Sequence, residues 1–281
     1  MKIGIIGPTG SGKTSYLLGM IKEMIHTECG FSIRISDPKT IGDLKDKMLK
    51  LTDKYLSANE RWPVSSTSLE EYTLELFDNR NKYVDIQWIE CPSELFKIAQ
   101  GQERLAKTIG SVDFLFVCVD GSLLQGNEDA LEDIADDFHN KSGCDIRNAL
   151  MCVSLKSDEA FPPVCILITK YDAVSPALRK QEPLQEILQL IFPELFQQKS
   201  GIVAICPVSL GKNIAEGGRV QPKNVHLPML AALYLYIHAR LHLLPDTSMA
   251  YQMMAAQKTD LLQEIRDLPV FYNGKLWQWS D

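Results

Sequence analysis

The residues with the clearest chemistry lie close to the start of the chain. Gly7-Pro8-Thr9-Gly10-Ser11-Gly12-Lys13-Thr14 fits the pattern G-x-x-x-x-G-K-[ST] in full. Glycines let such a loop curl until its main-chain N–H groups point inward at phosphate oxygens, and the helix that follows adds its positive end. Lys13 is expected to reach the β- and γ-phosphates of a nucleotide, and the Thr14 hydroxyl to ligate Mg²⁺. The expected phosphate-binding set is Gly7, Thr9, Gly10, Ser11, Gly12, Lys13, Thr14 and Ser15. The context agrees: an apolar segment, Lys2 to Ile6, precedes the loop, and Leu17, Ile21, Met24 and Ile25 follow at helical spacing. Taken alone, the loop suits ATP and GTP equally.

Two later segments could read a base. Thr169-Lys170-Tyr171-Asp172 follows the apolar run Val164 to Ile168, and Pro207-Val208-Ser209-Leu210 follows Ile202 to Cys206. Both would stand at the carboxyl ends of strands, where open α/β sheets bind ligands. A third strand-like run closes in Trp88-Ile89-Glu90-Cys91-Pro92-Ser93-Glu94. In this order, behind the phosphate loop, these segments resemble the P-loop GTPases of the Ras-like, TRAFAC class, whose [NT]-K-x-D and S-A-type loops hold guanine. The resemblance implies that Asp172 accepts hydrogen bonds from the guanine N1–H and N2 amine. It also implies that the Lys170 stem covers the base plane and that a backbone N–H near Ser209-Leu210 meets O6. Thr169 replaces the commoner Asn. Adenine offers no donors to such a carboxylate, which would be left buried and unpaired, and polar sites of this kind discriminate by about 10⁴-fold.

The metal side departs from the family pattern. Where a Ras-like chain shows D-x-x-G, this one has Glu90 in place of the Asp that holds Mg²⁺ through water, and Ser93 in place of the Gly that offers its N–H to the γ-phosphate. Glu94 stands where a water-orienting Gln is usual. The resemblance makes Thr67 the switch I threonine, with Ser65 and Ser66 as rivals. The expected metal set is thus Thr14, Thr67 and Glu90, and the expected catalytic set Lys13, Thr67 and Glu94. The bland alternative is that Glu90 merely ends a strand. Hydrolysis is expected to be slow and to benefit from a partner's arginine. Trp62-Pro63, an extra helix ahead of it and the acidic Glu90-Cys91-Pro92-Ser93-Glu94 look like the bacterial double-GTPase or GTPase-associated conflict-system proteins. G-domain motifs cover residues 1 to about 245.

The elements that must position these residues alternate strand and helix. Such alternation predicts an α/β fold with helices on both faces of the sheet. The resemblance sharpens this to a P-loop NTPase three-layer sandwich, a Ras-like G domain with a mostly parallel six-stranded sheet and one antiparallel strand. Tyr72 to Asp78 and Tyr83 to Ile89 flank a turn at Asn79 to Lys82, a hairpin signal. Phe31 to Ser36 reads as a further strand, broken by Asp37-Pro38. A helical insertion at about 37–58 follows, with Thr40 and Asp43 as a capping box and Leu44, Met48, Leu51 and Tyr55 as its apolar stripe. Arg61 to Ser68 has no period and reads as a loop. A closing helix through Leu230, Leu233, Tyr234, Ile237, Leu241 and Leu244 ends at Pro245. Residues 246–281 form an extension with a helix near Met249 to Asp267 and an aromatic end, Phe271, Tyr272, Trp277 and Trp279, which either packs on the domain or anchors a partner.

A net charge of -7 makes nucleic acid a poor partner. Carboxylates concentrate between Glu128 and Asp137, where Leu131, Ile134, Ala135 and Phe138 keep helical spacing; this reads as an amphipathic helix with a solvated acidic side, or else as an acidic docking surface. The 7 cysteines show no C-x-x-C and no metal-ligand spacing with the 5 histidines, as expected of reduced thiols in a cytoplasmic protein. Met1 runs straight into Lys2-Ile3-Gly4, so no secretory leader is expected. Leu227 to Leu244 contains His238, Arg240 and His242, favouring a buried helix over a membrane span. The expected function is a Mg²⁺-dependent, slowly hydrolysing GTP/GDP switch with a protein effector or activating partner. The alternative is a nucleotide-locked interaction module with little or no hydrolysis. A small-molecule kinase sharing the phosphate loop is disfavoured by Thr169-Lys170-Tyr171-Asp172.

Overall fold

Apolar runs of strand length, buried on both sides, form the centre of the sheet. Phe114–Asp120 shows why: every residue but the last is buried, as in a strand covered by helices on both faces. The computed structural model describes residues 1–26, 30–64, 68–79, 81–96, 99–143, 146–147, 150–151, 162–197, 201–212, 214 and 218–279. Among them the strands are β1 (Lys2–Ile6), β2 (Phe31–Arg34), β3 (Glu70–Asp78), β4 (Asn81–Glu90), β5 (Phe114–Asp120), β6 (Val164–Thr169), β7 (Ile202–Pro207), β8 (Val270–Tyr272) and β9 (Lys275–Trp277). The α-helices are α1 (Lys13–Met24), α2 (Pro38–Thr52), α3 (Ala58–Arg61), α4 (Ala99–Ile109), α5 (Leu131–Phe138), α6 (Gln181–Ile191), α7 (Leu227–Leu241) and α8 (Met249–Ile265).

All the strands join one 9-stranded sheet in the order β2-β3-β4-β1-β5-β6-β7-β8-β9. β4, β1, β5, β6 and β7 are mutually parallel. β3 runs against β4 and β8 against β7, while β2 and β9 each pair antiparallel outside them. The mostly parallel centre agrees with the sequence, but the expected six strands and single antiparallel strand do not. The Phe31–Arg34 run adds one strand at one edge, and the extension folds back to add a hairpin at the other.

Side chains alternate between the two faces. Ile3, Ile5, Phe114 and Phe116 join α1, α2 and α7 in one core layer. Ile6, Leu115, Val117 and Val119 join α4, α5 and α6 in the other. Leu131, Ile134, Ala135 and Phe138 of α5 are buried, as their spacing required. Helix α7 is buried on nearly every side because the sheet lies under it and Leu261 and Ile265 of α8 join the same core. It ends at Leu241, ahead of Pro245, and Leu243 is exposed.

Two local readings are corrected. The cap of α2 is Asp37, whose carboxylate accepts the Thr40 N–H at 2.7 Å with Pro38 at the start of the helix, so Thr40 lies inside the first turn. The stripe of that helix stops at Leu51, and Tyr55 is exposed beyond its end. In the extension, Phe271 and Trp279 are buried, the Trp279 indole donating to the Leu268 carbonyl at 2.9 Å, whereas Tyr272 is half-exposed. Cys91, Cys118, Cys165 and Cys206 are free and buried. Among the described residues no helix is long and apolar enough to cross a membrane.

Candidate functional site

The carboxyl ends of β1, β4, β5, β6 and β7 carry the residues singled out above. β1 delivers the chain into the phosphate loop, and α1 leaves it. At Gly7 a β-carbon would stand 2.7 Å from Ser11 Oγ and 2.9 Å from Cys118 Cβ, so only glycine fits. Gly12 takes the left-handed conformation, φ 89°, at the cap of α1, and its carbonyl accepts the Tyr16 N–H at 2.8 Å. The Lys13 ammonium is buried and donates to the Gly7 carbonyl at 2.9 Å and the Pro8 carbonyl at 3.2 Å. A buried cation at the positive end of a helix, held by two neutral carbonyls, is electrostatically unfinished. The Ser11 hydroxyl is likewise buried with no hydrogen-bond partner among the described residues.

Beside this loop, β4 ends in Glu90. Thr14 Oγ1 donates to Glu90 Oε1 at 2.6 Å, and the other carboxylate oxygen is buried without a hydrogen-bond partner among the described residues. Burial pushes the Glu90 carboxyl above the usual carboxylate range, against the downward pull of the Thr14 hydrogen bond and the Lys13 charge. Glu70, its partner across the β3–β4 ladder, pushes the same way as burial. The orphaned oxygen suits a bound hard cation. Three residues on, the Ser93 hydroxyl meets the Thr9 hydroxyl at 2.5 Å and reaches Glu94 at 3.3 Å.

This carboxyl yields a stability prediction. Because the folded state holds the Glu90 proton to higher pH than the unfolded chain, its contribution to stability is complete in acid and declines as pH rises through the folded pKa. Glu90→Gln removes that decline. The variant, free of metal and nucleotide, is expected to melt a few degrees higher at neutral pH, about 1 kcal/mol, with the difference vanishing in acid. Thermal melts across pH check this; a lower melting temperature at neutral pH would show that the ionised carboxylate is net stabilising.

On the other side of the loop, Thr169 Oγ1 lies 2.6 Å from the Ser11 carbonyl and 3.0 Å from the Val119 carbonyl. Its one proton serves either, tying β6 to the phosphate loop. Lys170 adopts φ 48° and stretches its ammonium to the Gly10 carbonyl at 3.0 Å and to Asp120 at 2.5 Å. Its stem therefore crosses from the Thr169–Asp172 loop to the phosphate loop. The Asp172 carboxylate accepts from Ser209 Oγ at 2.6 Å, and Ser209 Oγ accepts from the Gly211 N–H at 2.9 Å. The chain then doubles back: Ser209 exchanges hydrogen bonds with Lys223, and Leu210 accepts from the Gln221 N–H at 2.8 Å. Ser209 has thus committed its N–H, which leaves that of Leu210. The Leu210 side chain packs against α1 at Gly19, where any β-carbon would collide with it.

One cavity of about 530 Å³ connects these groups. Lys13, Thr14, Glu90, Lys170, Asp172 and Ser209 all line it, as do Trp62, Pro63 and Val64. The sequence had not assigned Arg61 or Asp120. Arg61 is buried, and its guanidinium donates to the Ile214 carbonyl at 2.8 Å, clipping the Trp62 segment to the loop beyond β7. Asp120 could have been suspected, as the one charge closing the apolar run of β5. Thr67, with its rivals Ser65 and Ser66, lies outside the described residues. No cluster of three or more His, Cys, Asp or Glu suited to a metal occurs among the described residues.

No protein-family model matches the sequence, and no curated protein matches it. Among solved structures, the chain is similar to the signal recognition particle receptor SRb-GTP/SRX complex from Chaetomium thermophilum. The identity is 14% and the TM-score 0.32, over 68% of this chain and 80% of that one.

Proposed function

We propose that the chain binds guanosine tri- and diphosphate with Mg²⁺ and acts as a slowly hydrolysing switch of the Ras-like, TRAFAC kind. The observation that carries this reading is that Asp172 and the buried Lys13, far apart in sequence, line one and the same cavity. Residues 1–245 then form the nucleotide-binding unit and 246–281 its extension.

In this reading the loop N–H groups from Gly7 to Ser15 surround the phosphates, and Lys13 exchanges the Gly7 and Pro8 carbonyls for β- and γ-phosphate oxygens. Thr14 and Glu90, with Thr67, hold Mg²⁺, whose remaining oxygens come from phosphate and water, so no protein cluster of three acids is needed. Mg²⁺ supplies neutralisation of the charge that grows on the phosphate oxygens. Lys170 covers the base, Thr169 fastens that loop to the phosphate loop, Asp172 reads the base edge, and Ser209 and Leu210 close its far side. Glu94 flanks the terminal phosphate, where it orients water less well than a neutral amide and keeps turnover slow. The segments on either side of Thr67 and Ser93 carry the nucleotide state to a protein effector.

The decisive experiment is mass spectrometry of the nucleotide retained on the purified protein, followed by titration with GTP, GDP and ATP, with and without Mg²⁺. Guanine nucleotide bound in preference to ATP, and more tightly with Mg²⁺, is expected. Equal affinity for ATP would overturn the base assignment, and no nucleotide binding would overturn the whole reading. Multiple-turnover assays then measure hydrolysis.

A further inference from the structure

The Thr9 and Ser93 hydroxyls face each other between the phosphate loop and the chain leaving β4, 2.5 Å apart, and both residues line the cavity with Lys13 and Thr14. Ser93 is buried, and its hydroxyl also reaches a Glu94 carboxylate oxygen at 3.3 Å. Each hydroxyl has one proton, and either can be the donor within the pair, while Ser93 Oγ is also within donating reach of Glu94. Both hydroxyls are thus engaged beside a loop that holds the buried Lys13 ammonium.

We propose that this hydroxyl pair distinguishes a nucleoside triphosphate from a diphosphate: the terminal phosphate takes both protons, and the Thr9–Ser93 and Ser93–Glu94 bonds open. The inference rests on the nucleotide reading above and adds to it a specificity element made of side chains. Position supports it. Thr9 directly follows Pro8, whose carbonyl holds the Lys13 ammonium at 3.2 Å, and Ser93 lies just beyond Glu90, which holds Thr14 at 2.6 Å. The pair thus lines the same cavity as the Lys13 ammonium. A phosphate oxygen is a stronger acceptor than a hydroxyl. A diphosphate ends one phosphate short and leaves the pair bonded. Opening the pair releases Ser93, the first residue of the turn Ser93–Phe96, so the difference of one phosphate reaches that turn.

The test is equilibrium titration, with Mg²⁺, of the parent protein, Thr9→Ala, Ser93→Ala and the double variant, using GDP and a nonhydrolysable GTP analogue. Each alanine is smaller than the residue it replaces, so neither obstructs the phosphate. Each single variant is expected to lower the triphosphate-to-diphosphate preference, the ratio of the two affinities measured on that same variant, about tenfold. The double variant should fall clearly further than either single one, since each hydroxyl gives the phosphate a bond of its own. Thr9→Ser is expected to restore most of what Thr9→Ala loses. Alanine variants that keep the parent's preference overturn the proposal, as do variants that raise it, which would mark the pair as a steric gate. A parent protein that binds neither nucleotide overturns the nucleotide reading and the sensor with it.

Discussion

Lys13→Ala is expected to lower affinity for GTP and GDP by at least about a hundredfold while leaving the melting temperature of the nucleotide-free protein unchanged or raised. The two halves of this result have one cause. Among the described residues the buried Lys13 ammonium donates to the Gly7 and Pro8 carbonyls at 2.9 and 3.2 Å. Removing it takes one donor from the carbonyls of two buried residues but relieves a cation held at the positive end of α1, and the two effects oppose each other. With nucleotide present, the same ammonium makes charge-assisted bonds to phosphate, each contributing roughly 1.5–3 kcal/mol. Two such bonds lost correspond to a factor of about 10² or more. A lysine that served only packing would show the opposite, a lower melting temperature with affinity preserved. Fluorescent-nucleotide titration and thermal melts on one preparation separate the two, and retained affinity would remove the phosphate-loop assignment.

The phosphate loop was legible because its requirements are local. The crowding at Gly7 and the left-handed backbone at Gly12 are conditions that one residue type meets, at positions fixed relative to the following helix. The meeting of Asp172 with Ser209 was legible because each lies just beyond a buried strand, and parallel strands bring their carboxyl ends together. What brings Arg61 to the Ile214 carbonyl is different in kind. These residues are 153 positions apart, and neither segment has periodicity of its own, so nothing local announces the clip. The edge hairpin was missed although a signal existed. Asn273-Gly274 is a strong turn pair, and both residues do take positive φ, 49° and 76°. Its flanking strands are too short for alternation to register, and the eye goes to the aromatic side chains instead. The cap of α2 was misread because Asp37 and Thr40 are both good capping residues. Pro38 decides between them, since a proline has no N–H to lose at the first position of a helix.

Asp172→Asn is expected to lower affinity for guanosine nucleotides by about 10² or more and to raise it for xanthosine nucleotides. An ionised carboxylate offers two acceptors to the guanine N1–H and N2 amine, and charge-assisted bonds of this kind are about twice as strong as neutral ones. Asparagine keeps one acceptor and puts a donor where the second stood, which repels nothing on xanthine, whose position 2 carries a carbonyl. The surroundings fix which way the amide turns. Ser209 Oγ already accepts from the Gly211 N–H at 2.9 Å and donates its proton to Asp172 Oδ1 at 2.6 Å. It therefore demands an acceptor and orients the Asn oxygen toward itself, leaving the amide nitrogen for the base. Ser209→Ala in the Asp172→Asn background is accordingly expected to blunt the switch, because the amide is then free to flip. Competition of GTP and xanthosine triphosphate for the parent and both variants reads out the order. An unchanged preference in Asp172→Asn would place base recognition elsewhere on the cavity, and an equally sharp switch without the Ser209 hydroxyl would show that some other contact sets the amide.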